Sequence, residues 1–210
     1  MKTKTLLLSF AAFLISCNFQ KPSEQKTNSN NEDYLKVLNQ KESDSQNKSQ
    51  DNLGNLISSI EFGIKANSDE AKDFEDGIIP WVSIENPKSE IDRLIDADKI
   101  VIPNSEITVV IDYPLNNPAS FILKSNEKGF TRKQLILEIS KKYHEIYNTE
   151  EKTAETKTIP IEKREGLINR NETDGKYGIW GHDIGDLDLS SIEVYELENG
   201  KVQILLGVES

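Results

Sequence analysis

The stretch "FTRKQLILEISKKYHEIY", residues 130 to 147, limits the fold of this chain more than any other. Thr131 and Gln134 stand at capping-box spacing and Phe130 is placed to pack on Leu135 across the first turn, so a helix is predicted to begin at Thr131. Leu135, Ile139, Tyr143 and Ile146 or Tyr147 then fall on one face of a 3.6-residue repeat. His144 lies beside that stripe and reads as a solvated or hydrogen-bonded helix residue. Beyond it, residues 148 to 166 are charged and lack a period: either the helix runs on through Ala154, or this is an exposed insertion.

The segments around this helix carry strand character. "KIVI" (99–102) and "EITVVIDY" (106–113) are short β-branched runs, and "PLNNP" (114–118) turns the chain toward "ASFILKS", so 106 to 124 is predicted to be a hairpin. Shorter helices are expected after Ser68 and at Asn86-Pro87, the latter with Ile91, Leu94 and Ile95 on one face. Near the C-terminus, Asn199-Gly200 supplies a two-residue turn that sets Glu198 opposite Lys201, Tyr195 opposite Ile204 and Val194 opposite Leu205. Apolar residues on both faces of that pair predict a covered hairpin. The class expected is α+β: one long amphipathic helix packed on a largely antiparallel sheet with a C-terminal β-hairpin.

Apolar content separates a globular part from what precedes it. Residues 18–52 hold only Phe19, Tyr34, Leu35, Val37 and Leu38 among Asn, Gln, Ser, Lys and acids. So few side chains do not offset an ordering cost of about 1 to 2 kcal/mol per residue, which predicts a flexible tether with a transient helical turn at "EDYLKVL". Such a coil spans on the order of 30 Å. From Leu53 to Ser210 the apolar content stays high, enough for a single α+β domain.

The chain opens with "MKTKTLLLSFAAFLISC". Lys2 and Lys4 form a charged start, Leu6 to Ile15 an apolar stretch about half as long as a membrane span, and Ser16 a small residue before the single cysteine, Cys17. Residues 1–16 therefore read as a secretory signal peptide, and Leu14-Ile15-Ser16-Cys17 resembles the lipobox of bacterial membrane lipoproteins. The resemblance implies cleavage before Cys17 and acylation of that residue, palmitate being a typical chain. The protein would then be anchored to the bacterial cell envelope, at the outer membrane, without spanning it. It says nothing of the mature domain. With Cys17 acylated, neither a disulfide nor a thiolate nucleophile or metal ligand remains. Losing Lys2 and Lys4 takes the formal net charge from −11 to −13, a balance that repels phosphate backbones and anionic lipid, so nucleic acid is not expected as a partner.

The segment with most chemical potential is "GKYGIWGHDIGDLDL", residues 175–189, with Gly175, Gly178, Gly181 and Gly185 around Trp180, His182, Asp183, Asp186 and Asp188. Gly175, Gly178 and Gly181 have the spacing of a phosphate-cradling loop, yet such loops open a helix in a positive field, whereas this one runs into His182 and Asp183. An EF-hand fails because Arg170 and Gly181 would occupy ligand positions that need carboxylates. His144 and the His182-Asp183 pair match the order of HD-type phosphohydrolases, but Gly181 and Gly185 break the helix on which that pair should sit. No metal site or cofactor is expected.

Three readings of the segment stay open: a turn-rich structural element anchored by Trp180 and Ile184, a binding loop of Tyr177, Trp180, His182, Asp183 and Asp186, or a small hydrolase using His182 with Asp183 or Asp186. The function expected is a non-enzymatic binding or accessory module of an envelope lipoprotein. Its contacts would be the membrane through Cys17 and a protein or cell-wall partner.

Overall fold

The computed structural model describes residues 25–46, 53–74, 76–125, 128–164 and 169–210. The signal-peptide and lipobox residues, Cys17 included, lie outside the described residues. The order of elements is α1 (Gln25–Gln46), β1 (Asn55–Glu61), β2 (Ile64–Lys65), β3 (Ile78–Ile79), β4 (Val82–Ser83), β5 (Ile100–Ile102), β6 (Glu106–Ile111), β7 (Ala119–Lys124), β8 (Phe130–Thr131), α2 (Arg132–Thr153), β9 (Asp188–Glu196) and β10 (Val202–Glu209). No described helix is long and apolar enough to cross a membrane.

The fold is α+β, with two helices on a mostly antiparallel sheet. Its strands run β1-β9-β10-β6-β7, and β4 pairs with β9 where β1 ends; only the β10–β6 pair is parallel. Alternation along β6 buries Ile107, Val109 and Ile111, while Ile60, Ile192, Val194 and Ile204 carry the same face across the neighbouring strands. The stripe of α2, formed by Leu135, Ile136, Ile139, Tyr143 and Ile146, joins that face in one core. The α2 capping box is present: Thr131 Oγ1 accepts from Gln134 N at 3.2 Å, and Gln134 Oε1 accepts from Thr131 N at 2.9 Å. The helix runs on to Thr153, so the charged stretch begins as helix and leaves it at Ala154.

The C-terminal hairpin forms, but one residue out of the expected register. Val194 faces Ile204, Glu193 faces Leu205 and Tyr195 faces Gln203. The loop has three residues, not two: Leu197 N donates to Lys201 O at 2.9 Å, and Gly200 alone takes a positive φ, of 75°. A type I turn closed by one left-handed glycine adds a residue to the connection. Because side chains alternate, one residue of slip sets Val194 against Ile204 on the core face and leaves Leu205 with Glu193 on the other. The hairpin is central and packs one face into the core, while the other mixes buried Leu205 with exposed Glu193 and partly exposed Tyr195.

Two further expectations change. The helices predicted after Ser68 and at Asn86-Pro87 shrink to single 3-10 turns, Glu70–Lys72, Pro87–Ser89 and Ile91–Arg93; Asn67 Oδ1 accepts from Asp69 N and Glu70 N, and Leu94 leaves in extended conformation. More consequentially, the coil expected over 18–52 contains α1. Leu38 is buried at 5 % exposure and Tyr34 packs against the core. Local composition favours disorder there, but the domain supplies an apolar seat that the segment lacks by itself.

Candidate functional site

The 170–187 segment folds back on itself and presses on the loop that joins β6 to β7. Arg170 N donates to Gly181 O at 3.1 Å and Thr173 N to Ile179 O at 2.9 Å, forming an irregular hairpin. Asn116 N and Asn117 N donate to Gly178 O and Tyr177 O, and Trp180 N donates to Pro114 O at 3.2 Å. Every one of these bonds is main chain to main chain, so the segment is stitched in place largely without its side chains.

Its interior is organised by Glu150, from the last turns of α2. Thr173 Oγ1 donates to Glu150 Oε1 at 2.7 Å, as does Gly175 N at 2.8 Å, while Tyr177 N and Gly178 N donate to Oε2 at 2.8 and 3.2 Å. The side chain is wholly buried. Burial pushes this carboxyl up, but the Tyr177 N–H, the Thr173 hydroxyl and the Gly175 and Gly178 N–H groups outweigh it and hold it below the usual range. Gly175 is required by proximity, since a Cβ there would stand 2.7 Å from Glu150 Oε2. The loop thus does cradle an anion, and the anion is the protein's own carboxylate.

The residues singled out in the sequence separate into two groups. Trp180 is 3 % exposed and meets Tyr113 edge to face at 5.3 Å between centroids, and Tyr177 is also buried. Both are core anchors, and neither presents a face to a partner. His182 is partly buried, and its Nε2 lies 2.8 Å from Glu42 Oε1 on α1. Asp183 is clasped by two arginines: Arg164 Nη1 lies 2.7 Å from Oδ2, and Arg170 Nη1 lies 3.3 Å from Oδ1. Burial alone would raise the Asp183 pKa, but Arg164 first and Arg170 second hold it below the ordinary value. Asp186 Oδ2 accepts from Asp183 N at 2.8 Å and closes the turn at Ile184–Asp186. Among the described residues no hydrogen bond joins His182 to either aspartate. His144 lies elsewhere, with Nε2 2.8 Å from Glu85 O.

Beside α1 lies a polar cleft of about 310 Å³, lined by Leu38, Glu42, Tyr113, His182, Glu209 and Ser210 among others. Tyr113 Oη donates to Glu42 Oε1 at 2.6 Å and lies 2.7 Å from Ser210 Oγ. Burial, then the bond to Glu42, raises the Tyr113 pKa well above its ordinary value and keeps the phenol protonated. Oε1 of Glu42 is thus shared by the Tyr113 hydroxyl and Nε2 of His182. Family models, curated proteins and solved structures were all compared with the chain. None matches.

Glu42, Tyr113, Glu150, Arg164 and Arg170 were not legible as site residues. One signal for α1 was present: Tyr34, Leu38, Lys41 and Glu42 recur at helical spacing on one face. Among the described residues no three His, Cys, Asp or Glu side chains are grouped to hold a metal ion.

Proposed function

We propose that this protein is an exported lipoprotein held at the outer membrane of a bacterial cell envelope through acylated Cys17, and that its α+β domain is a non-enzymatic binding or accessory module. The anchor rests on the charged start, apolar run, Ser16 and single cysteine of the first seventeen residues. For the domain, one observation carries the reading: the three candidate catalytic side chains of the 170–187 segment are each engaged by other groups of the chain, His182 by Glu42, Asp183 by Arg164 and Arg170, and Asp186 by the Asp183 N–H. A hydrolase built on His182 with Asp183 or Asp186 needs one of those carboxylates to orient the imidazole. Here the orienting carboxylate comes from α1 instead, and no nucleophile stands beside the ring's other nitrogen in a described hydrogen bond.

The cleft beside α1 is the binding region under this reading, for a protein or cell-wall partner rather than nucleic acid. Mass spectrometry of the envelope-extracted protein is expected to find a diacylglycerol thioether on Cys17, and Cys17→Ser to leave an unprocessed precursor. A free Cys17 thiol would end the lipoprotein reading. The soluble chain is expected to leave ester and phosphoester substrates intact; turnover that His182→Ala abolishes, in a folded variant, would replace the binding reading with the hydrolytic one.

A further inference from the structure

We propose that α1 is a displaceable strap: it is helical while seated beside the Tyr113–His182 cleft, melts when it leaves, and its release lengthens the chain between Cys17 and the domain. The consequence for reach rests on acylation of Cys17; the strap itself does not.

The helix has little means of sustaining itself. It carries no acidic residue in its first turn and no basic residue in its last, where Asp44 sits against the negative end of the dipole. Its Asn, Ser and Asp content is unfavourable for an isolated helix, in contrast to α2, which has a capping box and carries Lys152 in its last turn. Its helicity is therefore coupled to its seat.

That seat is narrow. Of the α1 side chains described, Leu38 alone is buried, set against Gly181, whereas Leu35 and Val37 are 45 % and 48 % exposed. The remaining attachments are polar. Tyr34 Oη donates to Arg170 O, Lys41 Nζ donates to Asn116 Oδ1 at 2.9 Å and Glu172 Oε1 at 2.8 Å, and Glu42 receives Tyr113 and His182. Bonds of this kind exchange readily for bonds to water.

The surface beneath loses to the strap's departure the Glu42 partner of His182, the Tyr34 donor to Arg170 O and Lys41 over the Trp180 ring, but keeps its internal bonds. Trp180 keeps Tyr113 as an edge-to-face neighbour, Glu150 keeps its four donors, Asp183 keeps both arginines, and Tyr113 Oη keeps Ser210. Departure of α1 wets a surface but opens no buried bond of the domain. Docked, the domain is pinned to the chain at Tyr34; released, it is pinned at the start of β1. The chain separating it from Cys17 is then about doubled in residues, and a coil of that length spans on the order of 30 Å.

The first test is hydrogen exchange on residues 17–210 carrying Cys17→Ser. Protection of α1 amides is expected to fall below that of α2, β9 and β10 by roughly a hundredfold or more, the mark of sub-global opening. Leu38→Ala, and independently Glu42→Ala, should abolish the α1 protection and leave the sheet's unchanged. Exchange of α1 in step with the sheet, or equal loss of protection in both on mutation, overturns the strap. The second test uses the acylated protein in phosphatidylethanolamine–phosphatidylglycerol vesicles, with a donor dye on Ser120→Cys and acceptor headgroups. Energy transfer should drop when Leu38→Ala is added, and unchanged transfer overturns the link to reach. Failure of the protein to carry an acyl chain removes the anchor reading, a result distinct from either of these because the exchange experiment needs no membrane.

Discussion

Nε2 of His182 lies 2.8 Å from Oε1 of Glu42, a residue 140 positions earlier in the chain, and Tyr113 donates to that same oxygen. Histidine in a glycine-rich, aspartate-rich segment suggests a reaction, yet its partner here lies on a helix that leans on the domain.

This pairing makes a double-mutant cycle informative. His182→Ala and Glu42→Ala are each expected to lower the stability of the α1 seat, with a coupling energy of about 0.5 to 1.5 kcal/mol when both are combined, the range of one retained hydrogen bond. Loss of α1 helicity followed by circular dichroism measures it. Strict additivity would mean that the pair contributes nothing.

Glu150 should be far more costly to lose. Glu150→Ala strands three main-chain N–H groups around a fully buried site, while the Thr173 hydroxyl keeps Ile179 O at 3.2 Å, and at about 1 to 3 kcal/mol for a buried group left unsatisfied the expected loss exceeds about 3 kcal/mol. Formate, which fits the vacated carboxylate position, should raise the urea midpoint of Glu150→Ala and leave the wild type unmoved. A variant that loses less than about 1 kcal/mol, the low end for even one buried group left unsatisfied, would contradict the role assigned to Glu150.

Acid should act through the same contacts. Glu150 and Asp183 both have folded-state pKa values held below the ordinary carboxyl range, so between the two values the unfolded chain binds more protons than the folded one. Their stabilisation is present in full above the unfolded values near about 4 and is lost as pH falls through the lower folded values. Urea midpoints measured downward from neutrality should decline most steeply below about pH 4, and Glu150→Gln with Asp183→Asn should flatten that decline. An equal slope in the double variant would refute this attribution.

Trp180→Ala tests the packing role directly. At 3 % exposure and in contact with Tyr113, its truncation is expected to cost about 3 to 5 kcal/mol in denaturant unfolding, whereas an exposed docking residue would be nearly neutral.

The capping box at Thr131, the stripe of α2 and the β6–β7 hairpin were legible because each is a short-range pattern: neighbours along the chain supply both the partner and the period. Asn199-Gly200 marked the C-terminal turn but not its length, since a single left-handed glycine closes a loop one residue longer and moves the register with it.

What the sequence determined by itself is the α+β class, the long helix at Thr131, the acidic balance and the local periods that sort inner from outer faces. Tertiary structure alone decided the rest. Glu150 finds its role through main-chain N–H groups, which every residue but proline offers and which therefore leave no signature in the sequence. The helix α1 exists because Leu38 and Tyr34, too few to bury themselves, meet a seat built from residues 113–117 and 169–182, far away in the chain. His182 takes Glu42, not a neighbouring aspartate, because Asp183 is claimed by Arg164 and Arg170 and Asp186 by its own turn, a competition settled only once the chain is folded.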